Sequence, residues 1–223
     1  MLRFMTLLPA ICLLTLILPV CARAAGTVDN LQRVYAGISA MRAEFRQTLL
    51  HKESGSREER SGSLFFKKPL LLRWETKKPA PELLVIGRDA IWHAFPEEEL
   101  VYKYSLKLAG SASLARIVTG QARIDQDFDL EEEGREEGLH TLRLYPKKAD
   151  QSVVEVLLWV DPANFMIRRL RVYDFYGNEN EIVFSRYDAK TGVRDAVFSY
   201  TPPKGFEVED RTGAAAPERS LFQ

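Results

Sequence analysis

Apolar residues fall at helical spacing near the start of the chain and at alternate positions almost everywhere after it. Between Thr27 and Met41, Val28, Leu31, Val34, Tyr35, Ile38 and Met41 recur every three or four residues, the stripe of an amphipathic helix. Thr27 is its candidate N-cap, and Gly37 weakens it by about 1 kcal/mol relative to alanine. From Ala43 the period becomes two: Ala43, Phe45, Gln47 and Leu49 alternate with Glu44, Arg46 and Thr48, which predicts a strand with one buried face. Comparable runs predict strands at residues 62–67, 70–75, 82–86, 90–95, 100–108, 127–132, 139–145, 153–160, 167–174, 181–187 and 197–201. Gly177 and Asn178 mark a hairpin turn within Asp174 to Glu179. One segment breaks the pattern. Residues 111–121 place Leu114, Ile117 and Val118 at helical spacing ahead of Gly120, predicting a short helix. Many short strands with few helices predict a mainly β (α+β) fold, a sandwich or barrel, with the helices across the open side of a curved sheet.

The N-terminus reads differently. After Arg3, residues 5–20 are apolar apart from Thr6, Pro9, Thr15 and Pro19. The run is shorter than the roughly 20 residues a spanning helix needs and holds two prolines, so residues 1–24 are expected to be a cleaved signal peptide. The small-x-small sequence Ala22-Arg23-Ala24 sets cleavage after Ala24. Residues 25–210 then form one domain. Residues 211–223, with Gly213, three alanines and Pro217, are expected to be a disordered tail. An alternative treats Leu18-Pro19-Val20-Cys21 as a lipobox that would acylate Cys21, against which Val20 is a poor fit. Cys12 and Cys21 are the only cysteines, so the exported chain has no thiol and depends on its core. The 31 basic and 31 acidic residues balance, and loss of Arg3 and Arg23 leaves a slight acidic excess. No nucleic-acid partner is expected from such a chain.

Candidate chemistry is sparse. His51, His93 and His140 lie far apart on the pattern, without the clustering that zinc requires. Asp125, Asp127 and Asp129 with Glu136 mimic a calcium loop, but Leu130 occupies the position that needs glycine. Neither a G-x-S-x-G elbow nor a glycine-rich phosphate loop occurs. A Ser-His-Asp set stays open, because triads assemble in space. No catalytic residue, metal or cofactor is therefore expected. Apolar surface, by contrast, is abundant. Between Leu64 and Trp92 the strands carry Leu64, Phe65, Phe66, Leu70, Leu71, Leu72, Trp74, Leu83, Leu84, Val85, Ile86 and Ile91. Several are apolar on both faces, as a sheet covered on both sides or one lining a lipid cavity would be.

Ordered blocks settle which family the chain resembles: Phe45-Arg46-Gln47, then Gly62-Ser63-Leu64-Phe65-Phe66-Lys67-Lys68-Pro69, Arg73-Trp74-Glu75, Pro79, Leu84-Val85, Ile91-Trp92 and Phe95-Pro96, and finally Phe198 through Gly205. Across the mature chain to Asp210 it resembles the outer-membrane lipoprotein carrier proteins (LolA). The resemblance implies an unclosed antiparallel β-barrel with a helical lid over a hydrophobic cavity. Its implied function is a periplasmic, non-enzymatic, monomeric carrier of acylated lipoproteins, loaded by an inner-membrane lipoprotein-releasing ABC transporter and emptied by an outer-membrane lipoprotein receptor. On this analogy Leu64, Phe66, Leu70, Leu72, Trp74, Val85 and Trp92 face the cavity, with Lys68, Leu114 and Ile117 at the lid. The family commonly has Arg where Lys68 stands, an Arg understood to hold the lid when the cavity is empty. It also has an Asp-Gly turn where this chain has Gly87-Arg88-Asp89. A membrane-anchored receptor of the same fold and another periplasmic lipid-binding protein remain the alternatives.

Overall fold

The computed structural model describes residues 26–111, 113–190 and 192–213. The expected leader with both cysteines and its expected cleavage site, and the tail from residue 214, lie outside the described residues. Helix α1 (Thr27–Gly37) precedes six strands: β1 (Ala40–Leu50), β2 (Arg57–Lys67), β3 (Leu71–Lys78), β4 (Glu82–Ile86), β5 (Ile91–Phe95) and β6 (Leu100–Tyr104). Helices α2 (Ser113–Val118) and α3 (Ile124–Asp127) follow. The chain then returns through β7 (Phe128–Glu136), β8 (Leu139–Pro146), β9 (Glu155–Val160), β10 (Ile167–Tyr173), β11 (Glu179–Asp188) and β12 (Glu207–Asp210).

All twelve strands belong to one sheet, ordered β12-β6-β5-β4-β3-β2-β1-β11-β10-β9-β8-β7. Two meanders are joined where β1 pairs antiparallel with β11, and β12 lies parallel to β6. The sheet does not close, since β7 and β12 are its edges. From β6 to β7 the chain must cross from one edge region to the other, a path of roughly 50 Å along a flat sheet at about 4.8 Å per strand. Residues 105–127 make that crossing in compact form, as a 3-10 segment and two short helices. Such a connection reaches only if the sheet curls, bringing its edges together beneath it. Accordingly one apolar cluster joins Tyr104 of β6 to Phe128, Leu142 and Leu144 on the far meander, and to α1 and α2.

Several elements differ from the sequence pattern, for identifiable reasons. Gly26 rather than Thr27 occupies the N-cap of α1, and no side chain caps it. The helix ends at Gly37, so Ile38 and Met41 belong to the turn and to β1. The apolar stripe runs on because β1 sends Met41, Ala43 and Phe45 to the same core. Residues 197–201 are not a strand. Asp195–Phe198 is a 3-10 turn, and the segment lies against β3 to β5, strands that already have neighbours on both sides. Its apolar alternation reflects packing of Phe198, which is buried. Strand β12 was invisible because Glu207, Glu209 and Asp210 give it no apolar face; backbone pairing alone defines it. Arg211 continues that pairing, donating its N–H to the Lys103 carbonyl at 2.8 Å.

Candidate functional site

The helix-covered inner face of the sheet is built from rows of paired residues. Leu64 pairs with Trp74 and Trp74 with Leu84, while Phe66 pairs with Leu72 and Leu72 with Ile86. Directly opposed residues share a face, and all six belong to the central cluster. On β1, Phe45 packs against Trp74 with ring centroids 4.4 Å apart and planes tilted by 39°. Gly62 makes this possible: a Cβ there would lie 1.9 Å from the Glu75 carbonyl oxygen and 3.0 Å from Phe45 Cε1. The far meander completes the face with Leu142, Leu144, Val156, Leu158, Leu170, Val172, Ile182 and Phe184.

Two covering elements pack directly on this surface. Helix α1 buries Val28, Leu31 and Tyr35, and α2 buries Leu114, Ala115, Ile117 and Val118. They also contact one another. Gly120, at φ +68°, sits so close to Tyr35 that a Cβ would meet the tyrosine at 2.4 Å. Gln32 accepts the Ile124 N–H at 3.0 Å. The Tyr35 hydroxyl accepts from the Ile167 N–H at 3.4 Å, and Tyr187 donates to the Ile167 carbonyl. Burial pushes both phenols above the ordinary tyrosine value, so both stay neutral.

Lys68 fastens α1 at its C-terminus. Its ammonium donates to the carbonyls of Tyr35 at 2.6 Å and Ala36 at 3.1 Å, at the end where a helix runs short of donors; the Tyr35 carbonyl also accepts the Ile38 N–H at 3.2 Å. No basic residue of α1 itself serves them. The backbone N–H of Lys68 bonds the Ser39 carbonyl at 2.8 Å. Burial draws the ammonium below the usual lysine range. Lys68 thus contacts α1, not the helix within residues 111–121.

Val85 and Trp92 require a correction. Val85 pairs with Arg73 and Trp92, the row opposite in parity to Leu72, Trp74, Leu84 and Ile86, so both lie on the outer face. Val85 is nevertheless fully buried. The chain around the 195–198 turn covers that face: Trp92 contacts the Tyr200 ring at 5.9 Å, and the Phe198 carbonyl approaches Gly87. Asp195 ties the segment to Lys67 at 2.6 Å and Arg88 at 2.5 Å, which holds its carboxyl below the usual range. Strands β4 and β5 are apolar on both faces because both are covered, a case that periodicity cannot distinguish from a cavity wall. Leu70 sits in the β2–β3 turn, partly buried against the central cluster.

At the strand ends away from Lys68, a polar pocket of about 230 Å³ is lined by Glu58, Arg60, Pro79, Glu82, Phe95 and Glu98 among others. His93 Nε2 lies 2.5 Å from Glu82 Oε1, and Arg60 lies 3.2 Å from the other oxygen. Burial alone would raise Glu82, but the His93 hydrogen bond and the charges of His93 and Arg60 outweigh it and hold the carboxyl below its ordinary value. Sequence spacing gave no sign of this network, whose members come from three strands. Asp127, read in sequence as part of an acidic cluster, accepts from Arg116 at 2.6 Å and from the Arg123 N–H at 2.9 Å, joining α2 to α3.

An open, curved sheet whose apolar inner face is covered by a helix and a crossing segment defines an unclosed half-barrel. The family described as outer membrane lipoprotein carrier protein LolA matches residues 36–201, and the chain belongs to it. Curated relatives include an outer-membrane lipoprotein carrier protein of Dechloromonas aromatica, 29% identical over 86% of this chain and 91% of its own length. Another, from Chromobacterium violaceum, is 30% identical over 82% of this chain and 87% of its own. The fold resembles that of an uncharacterized conserved protein from Thermus thermophilus, with a TM-score of 0.54 and 14% identity over 83% of this chain and 97% of the other.

Proposed function

We propose that this protein carries acylated lipoproteins through the periplasm, holding their acyl chains between the inner face of the sheet and the α1–α2 cover. The observation that carries the reading is the pairing of family membership with a continuous apolar inner face covered by α1 and α2. Leu64, Phe66, Leu72 and Trp74 are the proposed acyl-contacting residues, with Leu114 and Ile117 on the cover and Lys68 as its latch. Leu70 stands at the rim. Residues 1–24 act as the export signal. Loading falls to an inner-membrane ABC transporter and unloading to an outer-membrane receptor, and the chain's own role is binding without catalysis.

The energetics fit this division of labour. Moving an acyl chain from water into an apolar site gains about 0.8 kcal/mol per methylene, but these chains start in a bilayer that is equally apolar. Extraction therefore gains little and needs an external energy source. The test is displacement of an apolar fluorescent probe from the exported protein. An acylated lipopeptide should compete and its deacylated form should not. Equal competition by both would remove the lipid reading, as would native mass spectrometry showing no lipid or lipoprotein uptake.

A further inference from the structure

The turn between β10 and β11 holds two aromatic rings outside the molecule. Phe175 and Tyr176 are 69% and 73% exposed, the most exposed large apolar side chains among the described residues. Their rings meet edge to face at 5.6 Å. The backbone beneath them is closely fixed. The Asp174 carboxylate accepts from the N–H groups of Tyr176 and Asn178, each at 2.9 Å, and from the Asn178 amide at 2.8 Å. Gly177, at φ +77°, closes the turn by donating to the Asp174 carbonyl at 3.0 Å. Phe175 N–H bonds the Gln151 carbonyl at 2.9 Å and Lys52 N–H bonds Asn178 Oδ1 at 3.0 Å, which ties the tip to the two neighbouring turns. Val154 adds a third exposed apolar side chain beside them, its N–H bonded to the Tyr173 carbonyl at 2.8 Å.

The charges around this tip are arranged unevenly. Lys52 is exposed in the adjoining β1–β2 turn, and Lys148 is exposed in the β8–β9 loop at the same end of the sheet, while the neighbouring Lys147 turns to the Asp125 carbonyl at 3.4 Å and Asp129 at 4.0 Å. The acids mostly turn to partners within the fold: Asp174 into its own turn, Asp150 to Ser113 and Ser152, and Glu179 toward Arg171 at 3.8 Å. Glu53 is the exposed acid beside Lys52. Two rings of about 150–250 Å² each fall short of the roughly 1,000 Å² a specific protein interface requires. A bilayer interface sets no such minimum, favours amphipathic aromatic rings at headgroup depth, and attracts lysines where its lipids are anionic.

We infer that the β10–β11 tip is a membrane-contact element, which seats Phe175 and Tyr176 in the interfacial layer of an anionic bilayer with Lys52 and Lys148 on the lipid-phosphate side. The element is separate from the acyl-binding face and does not depend on the carrier reading, so the test uses protein without lipoprotein. Exported protein, purified from the periplasm so that every variant has the same N-terminus, is floated with vesicles of phosphatidylethanolamine and phosphatidylglycerol. Wild type should co-float. Phe175→Ser with Tyr176→Ser should weaken association about tenfold per ring lost, with an unchanged melting temperature. Lys52→Glu with Lys148→Glu should weaken association with anionic vesicles and leave that with phosphatidylcholine vesicles unaltered. Tyr176→Trp should show blue-shifted emission when vesicles are added. Equal flotation of wild type and the double serine variant would overturn the inference, as would no flotation of either or an emission spectrum of the Tyr176→Trp protein that vesicles leave unshifted. A sedimenting dimer abolished by the serine substitutions would also overturn it, assigning the tip to a second copy of the chain.

Discussion

Replacing Lys68 by alanine should loosen α1 while leaving the sheet intact. The side chain gives two charge-assisted hydrogen bonds to the last carbonyls of α1, at 2.6 and 3.1 Å, and it is the cation facing the negative end of a helix with no basic residue in its own last turn. A partly buried cation at a helix C-terminus contributes about 1–2 kcal/mol. The helix is otherwise held by burial of Val28, Leu31 and Tyr35, each worth roughly 1.5–3 kcal/mol if fully transferred from water. Lys68→Ala should therefore leave α1 docked on average but raise its open fraction about 5–30-fold. Hydrogen exchange of the amides in the second half of α1 reads this directly, and stopped-flow uptake of an apolar probe should accelerate in parallel. Lys68→Arg should act in the opposite sense, because a guanidinium offers five donors in a planar fork where an ammonium is a strongly hydrated point charge. Unchanged α1 protection in a folded Lys68→Ala protein would refute the latch. So would accelerated exchange throughout the sheet, which would make Lys68 a general stability residue.

Three further outcomes are expected. Trp74→Glu should abolish probe and lipopeptide binding in a protein that still folds, since an unpaired carboxylate on the apolar face is strongly disfavoured, while Trp74→Phe and the outer-face change Trp92→Glu should leave binding near wild type. Loss of binding in Trp92→Glu alone would reverse the face assignment. Gly62→Ala should cost about 3 kcal/mol or more by denaturant unfolding, because the new methyl meets the Glu75 backbone carbonyl; a neutral result would mean that β2 and β3 can separate freely there. Glu82 has a folded-state pKa below its unfolded value, so its contribution to stability is present above the ordinary glutamate pKa of about 4.3 and fades as pH falls through the lower folded value. Glu82→Gln should therefore be less stable at neutral pH and show a flatter acid limb in melting temperature against pH, and an acid limb identical to wild type would discount the His93 and Arg60 pairing.

Much of this architecture was legible where side-chain alternation and backbone pairing coincide. Ala43, Phe45, Gln47 and Leu49 are buried as the alternation requires, and Leu114 and Ile117 lie on the buried side of α2. Legibility failed where only one of the two signals was present. Strand β12 pairs through its backbone and carries no apolar side. The segment around Phe198 shows alternation without a ladder. Residues 57–61 extend β2 through polar positions whose register is set by β1, from Arg57 opposite Leu50 to Ser61 opposite Arg46. At the site, Leu64, Phe66, Leu72 and Trp74 could be grouped by parity within each strand. Relating β4 and β5 to them needed the registers of Val85 with Arg73 and of Trp92 with Val85. A run such as Leu83-Leu84-Val85-Ile86 contains no polar residue to mark its outer side, and a one-residue slip exchanges the faces completely.

The packing of α1 and α2 on the inner face bears on how a carrier can hold a strongly apolar cargo and still release it. Two acyl chains taken from water into a permanently open site would approach or exceed the ceiling near −18 to −21 kcal/mol for non-covalent affinity, and such a complex would not discharge. Here the surface available to an acyl chain is already covered by Leu31, Tyr35, Leu114, Ile117 and Val118. In the proposed cycle a cargo chain displaces those side chains, exchanging one apolar contact for another, and it must also break the Lys68 contacts with Tyr35 and Ala36. The net affinity is then a small difference between similar terms. Because Gly120 rests on Tyr35 and Gln32 accepts the Ile124 N–H, α1 is coupled to the crossing segment, so its displacement disturbs both parts of the cover. A ligand shifts such an equilibrium only by its differential affinity for the two states. The return of the cover to its own contacts therefore favours expulsion of the cargo, and discharge into a receptor requires no nucleotide at this protein.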